Sequence, residues 1–443
     1  MSGAPAPERP PRGGAATLLD SDYTAPALEH EEIRLKHPSI ASPRWRRTLY
    51  AVGIGELLAV AGFSTSTPIT PFFLQDLGVT EPGRLNLLTG LVQALPSISL
   101  VIFSPIWGGV ADNYGRKPML LRALFGGTVI MFLTGMVTAP WQLVVLKTIQ
   151  GCITGTVAAA TIMIASITPK EEIGYSLGLL QMAVFVGGSL GPLFGGVIAD
   201  LFGRRVCFYA TSVLLLAGGI VIWRFAEDTF TPPSNRKSIL RSMIPDFSPL
   251  ARSKALWSLL AVIAADQVAG SIVSPFLPLF IQRISPGSSI VGSTTGVILG
   301  VGALASAVAA LTVGKVSYRV GYKRSLVICM TGASLCTIPQ AFVSTPLQLL
   351  LLRVASSFFV GGNLPSANAL IAQRTEPGKQ GSIYGISSAI ASGSNAIGPA
   401  IGASIAMTAG YRPVFLTTAV ILAAAGIAIT VFVGAPRARG RPA

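Results

Sequence analysis

The sequence predicts an all-α polytopic membrane protein with twelve transmembrane helices in two six-helix halves. Three observations carry this. Of 443 residues, 51% are hydrophobic and 12% are charged, about half the charged share of an ordinary soluble domain. The apolar residues form runs, such as 204–226 and 411–434, long enough to cross a hydrocarbon core of about 30 Å as helices. The chain also repeats itself. "PFFLQ" at 71–75 returns as "PLFIQ" at 278–282, and the same shift of 207 relates Gly178 to Gly385, Gly191-Pro192 to Gly398-Pro399, Gly203 to Gly410 and Phe208 to Phe415. Parallel repeats of this kind pack around an axis along the membrane normal, with a substrate site between them near mid-membrane.

Taken in order, residues 1–47 are expected to be a disordered tail. Their first 43 residues hold seven prolines and no apolar run, too little hydrophobic surface to offset the entropy of ordering. No cleaved signal peptide is expected, because a basic start followed by an apolar stretch is missing. Twelve spans follow, at about 48–74, 86–111, 119–139, 141–167, 175–200, 204–226, 255–282, 290–314, 323–343, 345–373, 381–408 and 411–434. They divide into an N-terminal half, 48–226, and a C-terminal half, 255–434. A polar, proline-containing linker, 227–254, joins the halves, and a short tail, 435–443, closes the chain.

The net charge of +15 raises nucleic acid as a partner, but the basic residues sit in short clusters between apolar runs. That pattern is a membrane-orientation signal. With the N-terminus cytoplasmic, 26 of the 33 Lys and Arg fall on the cytoplasmic side. Only Arg84, Arg204, Arg205, Arg283 and Arg412 lie outside, and Lys147 and Arg353 lie within spans. Both termini are therefore expected in the cytoplasm. The four cysteines lie in or at the start of apolar runs without CxxC spacing, and both histidines lie in the N-terminal tail. No metal site or cofactor is expected.

Residues 108–119 read "GGVADNYGRKPM". A tight reversal between two helices needs positive φ, which Gly115 supplies. Asp112, Arg116 and Lys117 are close enough to pair across the turn; the plainer alternative is a basic turn that only sets topology. In the fifth span, Gly187, Gly191, Gly195 and Ala199 fall four apart, and such a face lets two helices approach closely in lipid. Pro192 favours a bend there. The first span ends "GFSTSTPITP", with Gly62, Pro68 and Pro71, and the seventh echoes it with Pro275 and Pro278.

These stretches resemble the motifs of the major facilitator superfamily. Gly108, Asp112, Gly115, Arg116 and Lys117 match its signature loop, and "GKVSYRVGYKR" at 314–324 is a worn second copy without the acid. The resemblance implies that the loop latches the halves on the cytoplasmic side and controls their alternation. Gly187, Gly191, Pro192 and Gly195 resemble the antiporter motif of drug:proton exchangers, which uptake carriers generally lack. Gly62, Pro68 and Pro71 resemble the first-helix motif of the twelve-span drug:proton antiporters. The nearest branch is bacterial multidrug efflux, and the resemblance covers about residues 45–434.

Ionisable residues inside spans cost about 2.5–3.5 kcal/mol on insertion scales and are functional candidates by default. Four stand out: Glu56, Lys147, Asp266 and Arg353. Burial disfavours the charged form of an acid, so a buried carboxyl can take up and release a proton. Asp266 is the first candidate and Glu56 the second; each could instead be an acid satisfied within the helix bundle. Lys147 and Arg353 are 206 residues apart, one short of the repeat. Either they snorkel to the outer headgroups or they face the central cavity. The family carries arginine at the Lys147 position, tied by resemblance to proton coupling. Lysine keeps the charge but can lose its proton when desolvated, which arginine does not in practice. Gln93, Gln150, Gln181 and Asn363 are candidates for the substrate cavity.

The expected function is secondary active export of small amphiphilic or drug-like compounds in exchange for protons. It would proceed by alternating access, in a bacterial inner membrane and as a monomer. Metabolite or sugar export, or proton-coupled uptake, are the alternatives on the same scaffold. No ATPase loop and no enzyme chemistry are evident.

Overall fold

The computed structural model describes Gly3 and residues 45–169, 172–228, 254–374 and 380–432. The N-terminal tail up to residue 44, most of the linker and the last eleven residues lie outside that set. Expectations about their order and position are therefore left where the sequence put them.

The described residues form helices without a strand. In the N-terminal half these are α1 (Trp45–Ser66), α2 (Thr70–Asp76), α3 (Pro82–Tyr114), α4 (Arg116–Gly135), α5 (Pro140–Ile153), α6 (Thr156–Ile167), α7 (Ile173–Phe202) and α8 (Arg204–Phe225). The C-terminal half holds α9 (Lys254–Val273), α10 (Leu277–Ile284), α11 (Val291–Val320), α12 (Tyr322–Thr337), α13 (Pro346–Arg374), α14 (Gln380–Ala409) and α15 (Tyr411–Phe432). Eleven stretches among the described residues are long and apolar enough to cross a membrane. The twelfth position is taken by α14, which is 30 residues long.

Three spans are broken into two α-helices each, and the ninth ends in a short 3-10 helix, Ile338–Phe342. The first and seventh each break near their ends, at 67–69 and 274–276, and resume as α2 and α10 with Pro71 and Pro278 in the first turn. Proline is tolerated there because its missing N–H would be unpaired anyway. The fourth span breaks in the middle. Thr154 is extended and Gly155 has φ +122°, so α5 ends and α6 begins anew at Thr156. Only glycine takes that backbone without strain.

The two halves pack alike. α1 lies against α7 and α8, as α9 lies against α14 and α15; α3 lies against α5, as α11 lies against α13. Across the halves, α7 meets α11 and α3 meets α14. Even an aromatic pair is duplicated: Phe73 with Phe208 at 4.9 Å between centroids, and Phe280 with Phe415 at 5.0 Å.

The glycine face of α7 fits tightly against α1. A Cβ on Gly187, Gly191 or Gly195 would run into the backbone oxygen of Leu57, Ala61 or Thr65 in turn. A second face of the same helix does this across the halves: Gly196 abuts Gly292, and Pro192 abuts Gly296 of α11. The sequence showed one close-approach face, and the helix has two.

On the face opposite the α3–α4 loop, polar contacts tie the halves together. Gln75 and Gln282 exchange amide hydrogen bonds at 3.0 and 3.3 Å. Asp200, at the end of α7, accepts from the backbone N–H groups of Gly292 (3.1 Å) and Ser293 (2.6 Å) at the start of α11. A carboxylate at a helix N-terminus meets unpaired donors and a favourable dipole. The Tyr411 hydroxyl donates to Asn86 Oδ1 at 3.0 Å.

On the opposite face, the loop between α3 and α4 is braced from within its own half. Gly115 makes the turn with φ +102°. Lys117 Nζ donates to the carbonyls of Trp223 (2.9 Å) and Ala226 (2.7 Å) at the end of α8, while Asp228 Oδ2 accepts from the backbone N–H groups of Arg116 (2.9 Å) and Lys117 (3.0 Å). Each charge thus caps the helix end of opposite partial charge. The side chain of Asp112 lies outside the described residues, so its pairing with Arg116 or Lys117 stays an expectation. The worn copy keeps part of the brace: Lys323 Nζ donates to Thr430 O at 3.1 Å.

Candidate functional site

A cavity of about 310 Å³ lies between the halves, walled mainly by the C-terminal one. Asp266 of α9 and Arg353 of α13 both line it, so an acid and a base face the same space. Pro68 in the first break and Gly188 and Pro192 of α7 are part of the N-terminal wall. The remaining polar lining is largely hydroxyl, including Ser64, Thr67, Ser274, Ser306, Ser356 and Ser357. Several of these hydroxyls donate to helix carbonyls, Ser306 to Ser357 O at 2.8 Å and Ser356 to Arg353 O at 3.1 Å, which satisfies them without water. Leu299, Val360 and Leu422 supply apolar surface. This mixture can hold an amphiphile by its apolar body and orient it by a few polar groups.

Asp266 is fixed by Asn363, whose amide donates to its Oδ1 at 2.6 Å. Asn363 is buried, and its own Oδ1 has no partner. It therefore stands behind the acid rather than on the cavity wall. Gln93, Gln150 and Gln181 do not line this cavity either. Gln181 is exposed on α7, and Gln93 and Gln150 are half-buried in α3 and α5.

Glu56 belongs to a second, separate place. It is fully buried on α1 and faces the break in the fourth span, where Thr156 Oγ1 donates to its Oε1 at 2.8 Å. Its Oε2 has no partner. The carboxyl thus sits at the start of α6, where the helix carries partial positive charge.

Lys147 is also enclosed, at 8% exposure, with its Nζ 5.9 Å from the Phe208 ring centroid. Its side chain turns into the protein, which a snorkelling lysine would not do. Arg353 faces the cavity. The two basic residues, one residue off the repeat, therefore stand in different surroundings.

The sequence of the major facilitator family accounts for nearly the whole chain: its model, described as Major Facilitator Superfamily, matches residues 52–292 and 268–443. The chain belongs to the major facilitator superfamily. Among superfamily members it is similar to the multidrug resistance protein MdtG of Rahnella sp. (strain Y9602), with 33% identity over 378 residues, covering 85% of this chain and 91% of that protein. The MdtG of Yersinia enterocolitica is 31% identical over 381 residues, covering 86% and 92%. A solved structure of a bacterial homolog of the lysosomal transporter Spinster, inward-facing and unoccupied, superposes with TM-score 0.72 at 15% identity, covering 89% of this chain and 98% of that one. The nucleoside transporter NupG superposes with TM-score 0.72 at 15% identity, covering 87% and 99%. At such identities the two structures speak for the fold alone. This superfamily member is a multi-pass secondary transporter with the twelve-helix major-facilitator fold.

Proposed function

We propose that this transporter exports small amphiphilic or drug-like compounds in exchange for protons. The observation that carries this reading is the cavity shared by Asp266 and Arg353. Substrate enters between apolar and hydroxyl-bearing walls, and the halves rock about it. Asp266 takes up a proton in one state and gives it back in the other, held meanwhile by Asn363. Glu56 is the second proton site, remote from substrate and set at the break of the fourth span. Arg353 lends positive charge to the cavity that Asp266 also faces, and Lys147 is a further coupling candidate enclosed in the N-terminal half. The signature loop, Gly108 to Lys117, governs alternation on the cytoplasmic face, where both termini lie in a bacterial inner membrane. The cavity is enclosed by one chain, so a monomer suffices. The relation to MdtG proteins supports the substrate class.

The experiment is transport in proteoliposomes with an imposed pH difference. Asp266→Asn is expected to abolish proton-driven efflux while substrate still binds; unchanged transport would overturn the assignment. The six cavity hydroxyls named above favour a second reading, export of a polar metabolite or sugar. Susceptibility profiling of cells with and without the gene separates the two. A shift in tolerance to amphiphiles supports drug export, and no shift across a broad set supports the metabolite.

A further inference from the structure

The repeat is broken at one charged corner. In the N-terminal half, Gly203 joins α7 to α8, and the arginines that follow are held. Arg204 pairs with Asp76 at the end of α2 and donates to Phe72 O at 2.8 Å; Arg205 donates to Gly135 O at 3.3 Å. Moving each position by 207 residues gives Gly410, Tyr411 and Arg412, with Arg283 where Asp76 stood. The acid has become a base. Arg283 and Arg412, both exposed, line a pocket of about 350 Å³ together with Phe280, Ile284, Gly410 and Tyr411. Arg283 Nη1 stands 4.0 Å from the place a Cβ on Gly410 would take, so its guanidinium leans over the start of α15.

Three positive contributions meet there: two guanidinium groups and the N-terminal end of a 22-residue helix. Base at a helix N-terminus is the unfavourable sign. In the other half, the Asp76 carboxylate supplies the compensating charge. Here the sequence supplies none at that position, and the pocket has room for one from outside. Guanidinium forks match the oxygens of phosphate bidentately, and a helix N-terminus adds backbone donors. The pocket sits where the seventh span ends and the twelfth begins.

We propose that the Arg283–Arg412 pocket binds a phosphate oxyanion, from a lipid headgroup or a free phosphate ester, in place of the carboxylate that Asp76 provides in the other half. The test uses the purified full-length protein in detergent and native mass spectrometry with added dioleoyl phosphatidylglycerol or inorganic phosphate. The unaltered protein is expected to retain the lipid or the ion, and Arg283→Ala/Arg412→Ala to bind it at least about tenfold more weakly. Arg283→Asp, which returns the acid to this corner, is expected to abolish binding while keeping a monodisperse, thermally stable protein. Arg84→Ala, an arginine on the same face outside the pocket, is expected to change nothing. Binding of phosphatidylglycerol that millimolar phosphate does not displace assigns the site to lipid; displacement assigns it to a free anion. Equal binding by the unaltered protein and Arg283→Asp, or no binding of either probe, would overturn the proposal.

Discussion

Thr156 and Asn363 are one position of the repeat, 207 residues apart, and each donates a hydrogen bond to the acid of its own half, Glu56 or Asp266. The acids themselves are not repeat equivalents, because Glu56 corresponds to Ile263. Asp266 lies three residues further on, close to one helical turn, so both acids fall on the same side of equivalent helices. The donor position is kept while the acid slides by a turn. This gives one half a carboxyl in the cavity and the other a carboxyl behind it.

A hydrogen bond to a charged group contributes about 1.5–3 kcal/mol. Asn363→Leu, which keeps the bulk and removes the donor, is therefore expected to slow proton-driven efflux by about tenfold or more. Substrate binding to the solubilised protein should change far less. Efflux at the unaltered rate would show that Asp266 does not depend on its neighbour.

The α1–α7 contact predicts a contrast between two glycines. A Cβ on Gly195 meets the Thr65 backbone, whereas one on Gly53 meets nothing within 4 Å. Overpacking of this kind costs about 1–3 kcal/mol. Gly195→Ala should lower the melting temperature of the detergent-solubilised protein, and Gly53→Ala should leave it unchanged or raise it slightly.

The Asp200 contact ties α7 to α11 on the face opposite the α3–α4 loop. Asp200→Ala removes two charge-assisted hydrogen bonds and should raise the population open on that face by about fivefold or more, within the usual range of coupling energies. Spin labels at Thr80 and Ser288 report this as a longer distance component in double electron–electron resonance. An unaltered distribution would mean that the glycine contacts below Asp200 suffice.

Lys117 reaches two carbonyls and Lys323 one. Lys117→Met is therefore expected to destabilise the protein more than Lys323→Met, by about 1 kcal/mol. Paired thermal melts of the two variants read the difference directly.

The fold and the repeat were legible because lipid makes them so. Uninterrupted apolar runs are required to cross a membrane, and four-residue glycine spacing is required for close approach. The ionisable residues stood out for the same reason. The break at Gly155 did not, since "GCITGTVAAA" reads as an ordinary apolar stretch until tertiary packing sets φ there. The cavity wall was hidden for another reason. Serine and threonine can bond to carbonyls of neighbouring helix turns and pass unnoticed in a span, whereas Gln93, Gln150 and Gln181 are conspicuous yet lie away from this wall. Thr156 was within reach of the sequence: its repeat mate is an asparagine already noted. The role of Asp228, at the start of what reads as linker, depends on the end of α8 lying beside the start of α4.

The amide exchange between Gln75 and Gln282 maps onto itself when the halves trade places, but the Asp200 contact does not, because Met407 occupies the corresponding position. A circularly permuted chain with the C-terminal half first would keep both contacts. A chain built from two copies of the C-terminal half would keep only the amides. The asymmetry also bears on the rocking motion: a carboxylate on backbone N–H groups clasps α7 to α11, whereas the Tyr411–Asn86 bond between α15 and α3 carries no charge, so the two seams are not equivalent on either side of the hinge.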